Sequence, residues 1–154
     1  MGDMINPSLS TPRSAIVLGY CGLLPQAIAV IILLIGDPSL YWTALATAYG
    51  YAAFIFCFLG GVWWGVGISL PTPPRWIFLA AITPSLIALA TYIPWIIGWN
   101  WPRPSLVALS IALALSPVVD QRILRARSGF EDWLRLRRHL SFGLGGLTML
   151  AAWL

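Results

Sequence analysis

Charge is what this sequence has least of. Only 9% of its 154 residues are Asp, Glu, Lys or Arg, against roughly a quarter in an ordinary soluble domain, while 59% are hydrophobic. That balance excludes a water-soluble core. Lysine is missing altogether: the basic residues are nine arginines, a bias that points to a GC-rich bacterial coding sequence. Acids are scarce as well, and none is expected in mid-membrane, so a proton relay is unsupported. Asp37 falls in a turn where helix capping explains it, and Glu131 and Asp132 lie in a basic loop. Asp120 closes an apolar segment just before Arg122, as an interfacial ion pair or an arginine anchor would.

The same scarcity removes most chemistry. His139 is the single histidine, and no carboxylate or thiolate stands near it in sequence to complete a metal site. It is expected as a solvated residue at the membrane interface, and spacing gives no support for a role as haem or chlorin ligand. Cys21 and Cys57 lie inside apolar runs without metal or disulfide spacing and are expected to be packing residues. No embedded Ser or Thr has a His or carboxylate neighbour on its own helix, so a hydrolytic nucleophile lacks a base. With no catalytic set left, the chain is expected not to be an enzyme and to need no metal.

What is present is apolar length. A hydrocarbon layer about 30 Å thick is crossed by ~20 helical residues, whose backbone groups are then all paired internally. That ruler finds five spans, near 14–35, 41–70, 76–98, 104–119 and 134–154, with a basic interfacial segment at 121–139. The expectation is one membrane domain over residues 1–154, an all-α, five-helix transmembrane bundle. The polar run 1–14 and the long apolar stretch behind it do not fit a signal peptide, so the first span is expected to stay uncleaved. Phe130, Trp133, Leu134 and Leu140 share a face among arginines, which predicts an interfacial helix before the fifth span.

Five spans put Arg13, Arg75, Arg122, Arg125, Arg127, Arg135, Arg137 and Arg138 on one side, and only Arg103 on the other. Cytoplasmic loops retain positive charge, so the N-terminus is expected in the cytoplasm and the C-terminus in the periplasm of a bacterial inner membrane. Trp42, Trp95, Trp99, Trp101 and Trp153 then mark the outer interface, and Trp76 and Trp133 the inner one. The arginines from Arg122 to Arg138 form a surface for a partner or for anionic lipid. Beside apolar spans they imply no nucleic-acid partner.

The second span is the most unusual. Gly50, Cys57, Gly61 and Gly65 recur at steps of seven and four, with Ala46 extending the stripe, and Gly60 and Gly67 add to the glycine density. Such a face packs closely against another helix. Alternatively it floors a groove, walled by Trp63 and Trp64, for a flat lipophilic molecule such as a quinone, tetrapyrrole or lipid. In the first span Gln26 follows Pro25, and its amide is expected to bond to another helix.

Several segments resemble one family. Gly19-Tyr20-Cys21-Gly22-Leu23-Leu24-Pro25 is similar to its Gly-Tyr-x-Gly-Leu-(Leu/Ile)-Pro signature. Tyr49-Gly50-Tyr51-Ala52 and Phe58-Leu59-Gly60-Gly61-Val62-Trp63-Trp64-Gly65 resemble its glycine-tryptophan core. Thr83-Pro84-Ser85-Leu86, Asp120-Gln121-Arg122 and Trp133-Leu134-Arg135-Leu136-Arg137 also correspond. This is the domain-of-unknown-function family of short bacterial inner-membrane proteins related to mitochondrial transmembrane protein 69. Trp63 stands where the family usually has His, so no role for that imidazole carries over. The resemblance implies membrane architecture and no activity. Pro73-Pro74-Arg75-Trp76 is similar to an element of tryptophan-rich sensory proteins, but it follows the second span instead of the first and nothing else aligns. The leading expectation is a non-catalytic accessory subunit of a respiratory or photosynthetic membrane complex, partnered by lipids and other integral membrane subunits. The alternative is a binder or carrier of a lipophilic ligand.

Overall fold

A computed structural model of the chain describes residues 11–124 and 129–154. Every regular element in them is helical: α1 (Arg13–Cys21), α2 (Leu24–Ile35), α3 (Tyr41–Ile68), α4 (Trp76–Ile96), α5 (Arg103–Leu124) and α6 (Glu131–Trp153). Four stretches are long and apolar enough to cross a membrane: α1 with α2, then α3, α4 and α5. Many large apolar side chains are left outside, among them Leu18, Phe54, Phe58 and Leu89. In water that surface would be an aggregation hazard; in a bilayer it is the lipid-facing surface of a membrane protein.

The first apolar stretch is not one continuous helix. It breaks at Gly22–Leu23, because Pro25 has no N–H to donate and its ring crowds the carbonyl of Cys21 four residues back. The Gly22 carbonyl instead accepts the Tyr51 hydroxyl from α3. Gly36 ends α2 as its sequence suggests, in the left-handed conformation at φ 75°, which glycine adopts without a Cβ penalty. Asp37 then accepts from the Ser39 N–H and hydroxyl at 2.8 and 2.7 Å, so its carboxyl is held below the ordinary range.

Chain reversals make neighbours antiparallel. Gly60 meets Ala81 and Gly67 meets Ile77, which pins α3 to α4. Ser110 donates to the Gly145 carbonyl at 2.7 Å, and Arg103 to the Ala152 carbonyl at 2.8 Å, which pins α5 to α6. Gln26 donates to Thr148 at 3.0 Å, the inter-helix amide bond expected of it. The buried core runs along α3 and α5 with α2 and α6 against them: Ala48, Ala52, Leu106, Leu109 and Leu113 are completely enclosed. Pro117 sits inside α5, and the Leu113 carbonyl that it frees accepts the Ser116 hydroxyl at 2.8 Å.

Two helix bounds differ from the sequence reading in ways that matter. α5 runs to Leu124 and carries Asp120 into the bundle rather than ending at 119. α6 is unbroken from Glu131, so residues 131–139 are the first turns of the same rod and not a separate interfacial helix turning into a span. Continuous i to i−4 bonding is the reason: nothing between Phe130 and Leu140 is a Pro or Gly that would break it.

Candidate functional site

Where α3, α5 and α6 approach one another, the apolar bundle contains a polar network. The Trp63 indole N–H donates to Asp120 Oδ1 at 2.7 Å, Arg137 Nε donates to Asp120 Oδ2 at 3.1 Å, and Arg137 Nη2 lies 3.0 Å from that same oxygen. Trp63 is 4% exposed, Asp120 5% and Arg137 9%, so both charges are out of water. Beside them Ser116 and Ser141 share a hydrogen bond at 3.1 Å. An ionic pair taken out of water between helices is expensive to bury, which makes it a candidate functional site.

The local sequence explains how each group arrives. On α5, Leu106, Leu109, Leu113, Ser116 and Asp120 recur at steps of three and four, so Asp120 continues the buried stripe. On α6, Arg137, Ser141, Leu144, Thr148 and Ala152 follow the same steps and are all buried. Arg135 and Arg138 fall off that stripe and are exposed, as is Arg122. Arg137 is therefore not part of the exposed surface for lipid or partner assigned to the arginines, and the ion pair expected of Asp120 forms with Arg137. Helix periodicity held the clue: Arg137 begins a stripe of small and polar residues, and its charge masked that. Arg125 and Arg127 lie outside the described residues.

Of the spaces that adjoin the network or its helices, three bear on the residues singled out in the sequence. A cleft of about 620 Å³ opens to the lipid side between α4 and α5, floored by Phe56 and Trp63 of α3 and edged by Thr83, Pro84, Ala112 and Ser116. A cavity of about 210 Å³ lies between the α1–α2 break and α3, α5 and α6, with Arg137 and Ser141 in its wall. A groove of about 470 Å³ between the other ends of α3 and α4 is lined by Gly50, Cys57, Tyr49, Phe54, Tyr92 and Trp95.

The glycine stripe divides among these. Gly60 is the close-packing residue: a Cβ there would collide with the Ala81 carbonyl oxygen, and one at Gly67 would press on Ile77. Gly61 and Gly65 face open space, so within the chain they are not the packing face that the Gly-x-x-x-Gly spacing suggests. One residue along a helix is a 100° turn, enough to move the seam from Gly61 to Gly60. Gly50 and Cys57 border the 470 Å³ groove, but its aromatic wall is Tyr49, Phe54, Tyr92 and Trp95, not the tryptophan pair. Trp63 points inward to Asp120, while Trp64 is half exposed and meets Phe78 edge-on at 5.1 Å. His139 is exposed, as expected, with Nδ1 3.1 Å from the Tyr20 hydroxyl.

Residues 11–154 match the family described as "Protein of unknown function (DUF3429)". The chain belongs to that family. A further likeness is to Transmembrane protein 69 of Xenopus tropicalis, 40% identical over 81 residues, which are 50% of this chain and 31% of the frog protein. The chain thus spans about a third of the length of that curated relative. No solved structure matches. Residues from several segments singled out in the sequence come together in space: Gly19 and Gly22, Phe58 and Leu59, and Arg137 all line the 210 Å³ cavity, and Trp63 and Asp120 complete the network at Arg137. Trp63 also meets its partner as a donor only, because an indole N–H has no acceptor lone pair and no titration to offer.

Proposed function

We propose that this DUF3429 protein is a non-catalytic, multi-pass protein of a bacterial cytoplasmic membrane that holds a lipophilic molecule in the cleft between α4 and α5. One observation carries the reading: the cleft is apolar, opens sideways to lipid and has about 620 Å³, within the roughly 300–1,000 Å³ of small-molecule sites. Trp63 lies in its floor with the indole fixed by Asp120, so that part of the wall is preset for a quinone, a tetrapyrrole or a lipid chain. In this reading α6 is a fifth crossing, with the charged turn from Glu131 to Arg138 at the cytoplasmic interface and the C-terminus outside. A C-terminal reporter active only in the periplasm checks that orientation.

The test is purification from native membrane in mild detergent, extraction into organic solvent and mass spectrometry of what is released. A single lipophilic species near one per chain is expected. It should be lost in Ala112→Phe, which fills the cleft from a half-buried position, while the thermal transition stays put. Unchanged ligand content in that variant sinks the reading.

The accessory-subunit reading is favoured by a different observation, the open space in front of Gly61 and Gly65 on an apolar helix, where a helix of another chain can approach closely. The same purification tests it. A membrane protein at fixed ratio that is lost in Gly61→Leu supports a subunit, whereas recovery of the chain alone from wild type rejects it.

A further inference from the structure

Arg137 has more donors than its network uses. A guanidinium carries five N–H groups, and only Nε makes an aligned hydrogen bond to Asp120. Nη2, though 3.0 Å from Oδ2, is not aimed at it and is buried without a hydrogen-bond partner. The second carboxylate oxygen already accepts from Trp63. The charge of Arg137 is therefore neutralised while its buried Nη2 is left without an acceptor, which is a costly state out of water.

Arg137 is also in the wall of the 210 Å³ cavity at the α1–α2 break. Around it Gly19, Gly22, Phe58 and Leu113 are apolar, and Ser141, the other polar lining residue, is already bonded to Ser116. Leu18 and Phe58, 69% and 64% exposed, stand on the lipid side of the cavity, so a molecule in the acyl layer reaches it laterally.

We propose that this cavity takes the carbonyl end of a lipophilic molecule, whose oxygen accepts from the unpartnered Nη2 of Arg137 after a small turn of the guanidinium, since Nη2 is closed off in the present arrangement. Charge selects a neutral acceptor: with the Asp120–Arg137 pair already balanced, a carboxylate or phosphate would bring a net negative charge beside Asp120 in a low dielectric. Water does not match the rest of the wall, where Arg137 and Ser141 are the polar lining residues and the others suit the carbon skeleton behind a carbonyl. The volume admits a head group and leaves the rest of the molecule to pass out between Leu18 and Phe58. An ester carbonyl of a membrane lipid and a quinone carbonyl share this chemistry. The site does not depend on the α4–α5 cleft.

The test uses the full chain with ¹⁵N-labelled arginine in nanodiscs, and reads the Arg137 guanidinium by solid-state NMR, assigned through Arg137→Lys. One arm compares diester with ether-linked phosphatidylcholine; the other titrates decylubiquinone into the ether-linked discs. A shifted Nη signal in diester discs identifies a lipid ester, and a shift only on adding decylubiquinone identifies a quinone-type ligand. Either response should vanish in Leu18→Trp, which closes the mouth from an exposed position without touching the ion pair, and should persist in Ala112→Phe, which blocks only the cleft. No response to either carbonyl source, or a response unchanged in Leu18→Trp, overturns the proposal.

Discussion

The two ends of the bundle are held by different physics. At the arginine-rich end, α3, α5 and α6 meet through a buried charge pair and an indole N–H. At the tryptophan-rich end, rings do the joining: Trp95 stacks on Trp101 with centroids 4.8 Å apart, Trp101 meets Tyr49 edge-on at 5.5 Å, and Tyr49 stacks with Tyr92 at 6.3 Å. The hydrogen bonds at that end run mostly to backbone carbonyls. Tyr49 donates to Ala88 at 3.1 Å and Ser105 to Thr91 at 2.7 Å, and Arg103 holds the end of α6 with its guanidinium 5.6 Å from the Trp153 ring centre. Neutral contacts of this kind lose a modest energy when one partner is removed. A buried charge that loses its partner has nowhere to put its field.

The sharpest way to break the comparison is Arg137→Met. It leaves the Asp120 carboxylate buried with only Trp63 as donor, and should cost about 3–5 kcal/mol of stability in detergent unfolding. The double variant Asp120→Leu with Arg137→Met should recover most of that, because an apolar pair of similar volume removes the desolvation cost along with the attraction. A double variant as unstable as the single one would mean that the network stabilises through more than the charge balance. If the double variant folds but has lost the small molecule bound by the wild type, the pair serves binding and not architecture.

Trp63→Phe comes next. It removes one hydrogen bond to a carboxylate, an effect of about 1.5–3 kcal/mol, and Trp63→His should lose less because an imidazole keeps an N–H donor in that place. Equal losses for Phe and His would show that indole volume, not the donor, is what the site requires. The smallest effect belongs to the aromatic end. Tyr49→Phe keeps the ring contacts and removes only the hydroxyl near Ala88 and Thr91, for about 0.6 kcal/mol, near the average for side-chain hydrogen bonds inside membranes. A loss in Tyr49→Phe as large as in Trp63→Phe would erase the distinction between the two ends.

Much of the fold was legible in the residues. Apolar runs near 14–35, 41–70, 76–98 and 104–119 marked the rods, because in lipid the backbone has no alternative to helix. Gln26 announced an inter-helix bond because an amide in that setting needs a partner, and Thr148 supplies it. The site was much less legible. Small residues on α3 announced close packing but not which of two adjacent glycines makes it, since Gly60 and Gly61 differ only by one helical step. Asp120 and Arg137 looked interfacial because each lies near a chain segment rich in charge, and only the pairing of α5 with α6 turns both inward.

By itself, then, the sequence determined that this chain is an all-helical membrane protein and roughly where its apolar stretches lie, since those follow from local length, composition and backbone hydrogen bonding. Tertiary structure decided which polar groups meet. Asp120 and Arg137 are brought together by the antiparallel register of α5 and α6, and Trp63 reaches them from a helix 57 residues earlier. Such a meeting depends on helix rotation and on distance between axes, which no periodicity along a single helix specifies.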